Sequence, residues 1–369
     1  MKFTCNQQML AKALNIVSKA VTARTTIPIL RGILLEVTDE HKLKMSASDL
    51  DITIEETIDI EEGEKGAIVV QAKLFGDIIR KLPNAPVSIT LDGENLNIEC
   101  LNSDFKIVGL SADEFPNIVN VENNEKNIVF NKNLLKEMIR KTSFAASIDE
   151  SKGVITGILI ELKDNQVNFV AIDGYRMAIT REAMTIEENN NVIISAKIMN
   201  EINKILSEVE EEDVNIILNE KRAVFIIGSV KIVLRLLEGE FIHYKDVIPK
   251  ESKIRVKVNR NSLMESIERA SLLSKEGKNN LIKLSIEDYE VTITSKSEEG
   301  NVKETVQIEK EGDNLDIGFN AKYVLDVLKS IDDEEVYMLF NTGITPCLVR
   351  PVEGNSYDYL ILPVRIPNN

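Results

Sequence analysis

The segment AKLFGDIIRKL at residues 72–82 is an amphipathic helical pattern that the chain repeats as AKIMNEINKIL at residues 196–206 and AKYVLDVLKSI at residues 321–331. The three segments, called the AK helices below, align without gaps. Each begins with Ala-Lys, and a carboxylate follows the lysine four residues later. In the first copy, we expect Leu74, Ile78 and Leu82 to pack the helix on a sheet. Self-similarity over such a long period predicts a fold built from three copies of one unit.

A second helical pattern precedes each AK helix. It covers residues 5–14, 130–139 and 258–267. Asn6, Asn131 and Asn259 occupy the same place in the three copies, where an asparagine side chain can cap the first helical turn. The repeated unit therefore contains two helices.

Segments of alternating polar and apolar residues lie between and after the two helices, as is typical of strands with one buried face. Because the strands come in runs, the pattern predicts an α+β fold with antiparallel sheets. The predicted fold is three tandem repeats of a helix–strands–helix–strands unit. Short polar segments separate the copies, and the predicted domains are residues 1–122, 123–251 and 252–369.

The composition indicates a globular protein without a membrane span. Of the 369 residues, 43% are hydrophobic and 28% are charged, and no apolar run approaches the roughly 20 residues that a membrane helix needs. The N-terminal residues lack the apolar core of a signal peptide. The three cysteines are far apart, so neither a disulfide framework nor a structural zinc site is expected. We expect a cytoplasmic protein that needs no cofactor or metal.

Catalysis is not expected either. The chain has only two histidines, and it contains no P-loop, GxGxxG, HExxH or GxSxG motif. Its sixty acidic residues leave room for a hydrolytic carboxylate pair, so an enzyme is one alternative, but nothing in the sequence supports it.

Charge is distributed unevenly along the chain. The net charge is −16, yet five of the six predicted helices are net positive and the sixth is neutral. Each AK helix carries two basic residues seven positions apart, nearly two turns, which places both on one face. Lys132, Lys136 and Arg140 share a stripe in the same way. A solvated helix face is the common explanation for one stripe, but repetition in register favours a collective basic surface. Its predicted members on the helices are Lys12, Lys73, Arg80, Lys136, Arg140, Lys197, Lys204, Lys322 and Lys329.

Such a surface suits contact with duplex phosphates without sequence specificity, because it carries no aromatic residues to stack on bases. Helices packed roughly 9–10 Å apart leave an opening of roughly 8 Å in a ring of six and roughly 26 Å in a ring of twelve. The two groove depths of a DNA duplex alone add to about 16 Å. Encirclement of DNA would therefore need the helices of two chains.

At this point the sequence resembles the bacterial sliding clamp family, the beta subunit of DNA polymerase III, over essentially its whole length. The matching stretches, in order, are MKFTCNQQML, TARTTIPIL, DGYRMA, EGEFIHYKDVIP, FNAKYVLDVL and LPVR. The resemblance implies three similar domains per chain and a head-to-tail homodimeric ring with helices around the hole. It also implies a non-catalytic processivity factor for DNA replication. The implied partners are double-stranded DNA, a second copy of the chain, the polymerase alpha subunit, an ATP-driven clamp loader and other proteins with a clamp-binding motif.

The resemblance also implies one peptide-binding pocket per chain. The residues that match it are Ile155, Ile172, Gly174, Tyr175, Arg176, Met177, Ile242, Val247, Leu360, Leu362, Pro363, Val364 and Arg365. An apolar groove edged by Arg176 and Arg365 can hold a short extended motif with hydrophobic anchors. A β-turn at Asp173-Gly174 is the plain structural interpretation of DGYRMA and is compatible with the pocket. The first copy reads SDLDIT at residues 48–53 and lacks Tyr-Arg-Met, which favours a function specific to the middle repeat.

Further matched residues concern DNA and the dimer. Arg24 matches a DNA contact, and Lys152 lies in a DNA-facing loop in which Asp149 and Glu150 oppose attraction of phosphate. Phe105 and Ile107 match one side of the dimer interface. Leu272 and Leu273 match the other side, with ordinary core packing as the alternative for all four. The tail Pro367–Asn369 extends past the usual family end. The main alternative function is an acidic repeat scaffold that binds only proteins, which would not need lysines in register.

Overall fold

The computed structural model of the chain describes residues 1–22, 25–39, 41–116, 127–186, 189–274 and 280–366. Two compact units make up the chain. Unit 1 contains residues 1–135 and 201–236, and unit 2 contains residues 136–200 and 237–369. Over the described ranges, no helix is both long and apolar enough to cross a membrane.

Six α-helices lie within the described residues, and each lies where the repeat predicts one. They are α1 (Gln7–Val17), α2 (Ala72–Lys81), α3 (Lys132–Ser143), α4 (Ala196–Leu206), α5 (Arg260–Ser274) and α6 (Ala321–Ser330). The predicted asparagine caps are confirmed. The Oδ1 atom of Asn6 accepts hydrogen bonds from the backbone N–H groups of Gln8 and Met9, at 2.9 and 3.2 Å. Asn131 and Asn259 accept equivalent bonds at the starts of α3 and α5.

Unit 1 is built on two antiparallel sheets. The strands of the first are β1 (Lys2–Asn6), β5 (Gly63–Glu64), β7 (Pro86–Asp92), β8 (Asn95–Cys100) and β9 (Ser103–Val108), in the order β5-β1-β7-β8-β9. The strands of the second are β2 (Gly32–Asp39), β3 (Lys42–Ser48), β4 (Ile52–Asp59), β6 (Gly66–Gln71), β10 (Asn127–Asn131), β15 (Asp213–Leu218), β16 (Arg222–Ile227) and β17 (Val230–Arg235). Their order is β10-β15-β16-β17-β4-β3-β2-β6. Pairing of β17 with β4 joins strands of the first and second repeats into one sheet.

Unit 2 contains a single twelve-stranded sheet. From the second repeat come β11 (Gly157–Lys163), β12 (Gln166–Ile172), β13 (Arg176–Ala183) and β14 (Asn190–Ser195). From the third come β18 (Ile254–Asn259), β19 (Leu281–Ile286), β20 (Glu290–Ser297), β21 (Gly300–Glu311), β22 (Leu315–Asn320), β23 (Glu335–Phe340), β24 (Cys347–Pro351) and β25 (Tyr357–Ile361). The order is β14-β11-β12-β13-β25-β24-β23-β18-β21-β20-β19-β22. Pairing of β13 with β25 joins strands of the second and third repeats into one sheet, just as pairing of β17 with β4 joins the first and second repeats.

Two helix pairs cover sheets, one pair in each unit. Helix α1 packs on β3, β4 and α2, and α5 packs on β20, β21 and α6. Helix α2 buries Phe75, Ile78 and Ile79. The expectation that Leu74 packs on the sheet is wrong, since its side chain is 46% exposed. The buried face is centred on Phe75 and Ile79, and Leu74 lies about 100° away from Phe75 around the helix.

Lys132 also departs from the prediction that it belongs to an exposed basic stripe. It is 8% exposed, and its Nζ donates to the carbonyl oxygens of Val209 and Glu210 at 3.1 and 3.0 Å. A carboxylate of Glu212 lies 3.4 Å away. Lys132 therefore ties the start of α3 to the segment after α4.

Candidate functional site

The pocket predicted in unit 2 begins with the turn that precedes β13. The Oδ1 atom of Asp173 accepts hydrogen bonds from the N–H groups of Tyr175 and Arg176, at 2.9 and 3.1 Å. Gly174 has a φ of +94°, a conformation that glycine adopts without a steric penalty. This turn leaves the ring of Tyr175 56% exposed.

Arg176 lies inside the protein, whereas the sequence suggested an exposed edge of the groove. Its side chain is 7% exposed, and its guanidinium contacts Asp173 at 3.0 Å and Asp326 at 2.5 Å. The same group lies 4.7 Å from the ring centroid of Tyr323 and 5.4 Å from that of Phe144. A buried cation needs paired charges and ring faces to replace the water that it loses. Arg176 therefore connects the turn at Asp173 to Asp326 on α6.

An apolar cluster lies under this turn. Its buried members are Leu159, Val170, Ile172, Met177, Ile179, Ile193, Phe241, Tyr244, Leu348 and Leu360, and the side chains that pack against it include Ile155 and Leu362. The other predicted pocket residues are exposed, namely Gly174, Tyr175, Ile242, Val247 and Arg365, or half-buried, namely Pro363 and Val364. The sequence thus identified both the floor of an apolar patch and exposed side chains along the same segments.

The segment that carries Ile242 and Val247 is held by a buried tyrosine. Tyr244 is 5% exposed and donates its hydroxyl proton to the carboxylate of Glu161 at 2.7 Å. Burial and this hydrogen bond raise the pKa of the Tyr244 hydroxyl. Burial alone would raise the pKa of Glu161, but hydrogen bonds from Tyr244, Asn168 and Lys245 hold that pKa below its usual value. Ile242 and Val247, at 43% and 39% exposure, are thereby presented on a fixed segment.

The C-terminal segment continues the pocket past β25. The N–H of Leu362 donates to the carbonyl oxygen of Tyr175 at 2.8 Å, and the N–H of Val364 donates to that of Gly318 at 2.8 Å. These bonds hold residues 362–364 beside the Tyr175 turn. The tail Pro367–Asn369 lies outside the described residues.

Tyr323 is a residue of this site that the sequence did not assign. It lies on α6, and its ring stacks on that of Tyr175 with centroids 5.9 Å apart and planes at 21°. Burial raises the pKa of its hydroxyl. The sequence did indicate that this position is special, because Tyr323 is aromatic where the other AK helices have Leu74 and Ile198. The position was interpreted only as apolar packing.

The predicted basic residues lie on the exposed sides of the helices. In α2, Lys73 and Arg80 are exposed, opposite the buried Phe75 and Ile79. The described members of the predicted set are exposed except Lys136, which is half-buried. They are Lys12, Lys73, Arg80, Lys136, Arg140, Lys152, Lys197, Lys204, Lys322 and Lys329. Arg24 lies outside the described residues.

Most of these cations have a carboxylate nearby. The Nζ of Lys322 lies 2.7 Å from Asp326, and that of Lys329 lies 2.8 Å from Glu268. Similar pairs join Arg80 to Asp77, Lys204 to Glu201, Lys12 to Glu210, Lys197 to Glu150, and Arg140 to Asp332. Exposed pairs of this kind are worth about 0–1 kcal/mol, so phosphates can compete for the cations.

The loop of Lys152 is shaped by Asp149. Its Oδ1 atom accepts hydrogen bonds from the hydroxyl and the N–H of Ser151, at 2.7 and 3.1 Å. These bonds lower the pKa of Asp149. The turn therefore keeps a negative charge close to Lys152.

The residues predicted for the dimer lie on or beside two strand edges. Strand β9 is the edge of its sheet, with Phe105 40% exposed, Val108 70% exposed and Ile107 buried at 8%. Residues 300–307 of β21 pair with β20, and residues 308–311 pair with β18. The first part of β21 therefore has one edge that pairs with no described strand. On α5, which packs on β21, Leu272 is 66% exposed and Leu273 is half-buried. Apolar side chains beside open edges are typical of surfaces that pair with another chain.

The comparisons with known proteins cover the whole chain. Models of the DNA polymerase III beta subunit match in order, with the N-terminal domain at residues 1–119, the central domain at 129–243 and the C-terminal domain at 245–365. The chain is 37% identical to the beta sliding clamp of Bacillus subtilis, over 99% of this chain and 100% of the relative. It is 36% identical to that of Staphylococcus aureus, over 99% of each.

Solved structures agree with these matches. The DNA polymerase sliding clamp of Bacillus subtilis superposes with a TM-score of 0.95 at 34% identity, over 100% of both chains. The DNA polymerase III beta subunit of Thermotoga maritima gives 0.93 at 32% identity, over 99% of this chain and 100% of that one. The fold is therefore the three-repeat DNA clamp fold. The chain belongs to the DNA polymerase III beta subunit family, which confirms the resemblance found in the sequence.

Proposed function

We propose that this chain is a sliding clamp, a non-catalytic processivity factor that holds the replicative polymerase on DNA. The full-length match to beta sliding clamps carries the proposal, with all three domain models in order. The same match favours a clamp over an acidic scaffold that binds only proteins and over an enzyme. A cytoplasmic location follows from this role, because bacterial DNA is replicated there.

The proposed assembly is a head-to-tail homodimeric ring around duplex DNA, with three domains per chain at the boundaries predicted above. Two observations support it. The β9 edge with Phe105 lies in unit 1, and the β21 edge with Leu272 lies in unit 2, so two unlike surfaces are available for pairing. Twelve helices also give an opening of roughly 26 Å, which is wide enough for a duplex.

DNA contact is assigned to the exposed basic residues of the helices and to Lys152, with Arg24 as a further member from the resemblance. Their long side chains reach phosphates, and phosphate contacts carry no direct sequence information. Contact of this kind holds DNA without sequence specificity, as a sliding protein requires.

Partner proteins would dock on the apolar patch of unit 2. Tyr175, Ile242 and Val247 expose apolar surface over a buried floor, and residues 362–364 lie beside the same turn. An extended peptide with hydrophobic anchors fits such a patch. The polymerase alpha subunit, the clamp loader and other proteins with a clamp-binding motif are the proposed partners.

DNA topology provides the test of the clamp. Labelled chain is loaded by a matched clamp loader and ATP onto nicked circular DNA, and the circle is then cut with a restriction enzyme. A ring slides off the new ends, whereas a cut circle with protein-blocked ends retains it. Equal retention on circular and open linear DNA would contradict encirclement.

The pocket has its own test. The double variant Tyr175→Ala with Ile242→Ser removes exposed apolar surface, and we expect at least tenfold weaker binding of a fluorescent polymerase-derived peptide. Tyr289→Ala is the matched control, because Tyr289 is 78% exposed and lies in the turn between β19 and β20. Unchanged peptide affinity in the double variant would show that the pocket is assigned wrongly.

A further inference from the structure

The turn before β4 reproduces the turn before β13. The Oδ1 atom of Asp49 accepts hydrogen bonds from the N–H groups of Asp51 and Ile52, at 3.0 and 2.9 Å. Asp173 makes the same two bonds in the second repeat. Asp49 is therefore equivalent to Asp173, and Leu50 occupies the place of Gly174.

The neighbouring strands extend this equivalence. The N–H of Arg235 donates to the carbonyl oxygen of Asp51 at 2.9 Å, as the N–H of Leu362 does to that of Tyr175 at 2.8 Å. Leu234 pairs with Ile52 as Ile361 pairs with Arg176. The end of β17 therefore lies against β4 in unit 1 in the same way as the end of β25 lies against β13 in unit 2.

A cavity of about 410 Å³ lies at this place in unit 1. Its lining includes the turn residues Leu50 and Asp51, the strand residues Val233 and Leu234, and Pro116. The sequence EFP ends at Pro116 as EFI ends at Ile242, and the phenylalanine is buried in both copies, at 7% and 9% exposure. The volume is in the usual range for ligand pockets, roughly 300–1,000 Å³.

The chemistry of this cavity differs from that of its counterpart. Lys221, Arg222 and Arg235 line it, with Asp51 as the acidic member of the lining. Arg222 lies directly opposite Arg235 across β16 and β17, so the two cationic residues are neighbours in the lining. Neither Lys221 nor Arg222 has a carboxylate partner within the part of the chain that the structure describes.

Leu50 adds an apolar side chain to these cations. It has a φ of +80°, which is uncommon for a leucine, and its side chain is 57% exposed. The equivalent residue of the second repeat is Gly174, which suits this backbone conformation. A strained, exposed leucine at a cavity rim is a feature that often accompanies function.

We propose that the cavity between β4, β16 and β17 is a second docking site, which binds a short extended peptide with acidic and apolar side chains. Lys221 and Arg222 would bind carboxylates, while Leu50, Pro116 and Val233 would contact the apolar side chains. A duplex is too large for this cavity, and a small anion alone would leave its apolar lining unused. The clamp would thus have two kinds of peptide site, an apolar one in unit 2 and a basic one in unit 1.

The probe is a fluorescein-labelled hexapeptide of alternating Leu and Glu, with a matched peptide in which Gln replaces each Glu. We expect the acidic peptide to bind the full chain and to crosslink within residues 48–53 or 221–235. The double variant Lys221→Glu with Arg222→Glu should weaken binding at least tenfold, which corresponds to about 1.4 kcal/mol. Lys65→Glu with Lys163→Glu is the control, because both lysines are exposed and lie outside the lining.

A second variant separates binding from folding. Leu50→Gly relieves the backbone strain, so its thermal midpoint should be equal to or above that of the unaltered chain, yet acidic peptide binding should weaken several-fold. Three outcomes would each overturn the proposal. The Gln peptide could bind as tightly as the Glu peptide, or the crosslinks could lie outside residues 48–53 and 221–235. Millimolar inorganic phosphate could also displace the peptide from these residues while Leu50→Gly leaves binding unchanged.

Discussion

Glu56 is a carboxyl group that the fold removes from water. It lies on β4 beneath α1, is 7% exposed, and its Oε2 atom has no hydrogen-bond partner among the described residues. Burial raises its pKa from 4.5 to about 7, while Lys12 on α1 and Lys19 just after α1 oppose the rise, and Glu211 and Glu208 add to it. Since the folded state binds this proton more tightly than the unfolded state, the contribution of Glu56 to stability is fully present below pH 4.5 and is lost as the pH rises to about 7.

The variant Glu56→Gln should therefore be more stable than the unaltered chain at pH 8, by about 2–3 kcal/mol, and equally stable at pH 4. Hydrogen exchange of the β4 amides measures this difference locally, in a chain whose units need not unfold together. Glu94→Gln, at an exposed carboxyl, should change nothing at either pH. A gain that is the same at pH 4 and pH 8 would show that the charge of Glu56 is not its cause.

The two arginines predicted to edge the peptide pocket should behave differently. Arg176 is buried between Asp173 and Asp326, so Arg176→Ala leaves two carboxylates without their cation and should cost about 3–5 kcal/mol of unfolding free energy. Arg365 is exposed, and Arg365→Ala should cost less than about 0.5 kcal/mol. Denaturant unfolding of both variants checks this, and an Arg176→Ala chain of undiminished stability would contradict the buried role.

At the scale of elements, the asparagine caps define where the first helix of each repeat begins. Asn6→Ala removes the acceptor for two N–H groups of α1 and should lower the free energy of unfolding by about 1 kcal/mol. Asn6→Asp places a carboxylate oxygen where the amide oxygen was and should lower the free energy of unfolding much less. Asparagine and aspartate have nearly the same size, whereas alanine removes the acceptor, so urea unfolding curves that coincide for the two variants would exclude a capping role for Asn6.

The helices were predictable because their signals are local, but the sheets were not. Alternation along β4 or β13 shows which side chains are buried, but it does not show that β17 and β25 are their partners more than 170 residues away. The same limit explains the errors at single residues. Lys132 looks like part of a basic stripe in the sequence, and only the carbonyl groups of Val209 and Glu210 reveal its buried role. Similarly, two partners of Arg176, Asp326 and Tyr323, come from a different repeat.

At the scale of the whole molecule, the same kind of strand pairing between repeats occurs twice, with different side chains around it. Each such pairing is called a junction here. The second repeat pairs with the first through β17 and β4, and with the third through β13 and β25. At each junction a turn meets the end of a strand, with a cavity of about 410 Å³ in unit 1 and the predicted peptide pocket in unit 2. Exposed Tyr175 and half-buried Leu362 lie at the unit 2 junction, whereas Asp51 and Arg235 occupy the same places in unit 1. Repetition therefore places the two proposed peptide sites at equivalent junctions, and different side chains at a few positions give them different proposed ligands.

The arrangement of two chains in a ring can be tested with a pair of variants. Phe105→Lys alters the β9 edge, and Leu272→Asp alters the surface of α5 beside the β21 edge. Each variant alone disrupts both interfaces of a head-to-tail dimer, so each should sediment at micromolar concentration with the mass of one chain. Tyr289→Asp, at a more exposed site in the turn between β19 and β20, should keep the mass of two chains.

Mixing the two monomeric variants distinguishes a head-to-tail dimer from one in which like surfaces meet. In a head-to-tail pair, the unaltered β9 edge of one chain meets the unaltered α5 surface of the other, while the second interface brings the new lysine opposite the new aspartate. The mixture should therefore recover the mass of two chains. If β9 paired with β9, two Leu272→Asp chains would keep that interface unaltered and would still pair with each other, while mixing would create no unaltered interface between the two variants and would give no gain in mass. Recovery only on mixing requires unlike surfaces to meet, which is the closure that a two-chain ring needs.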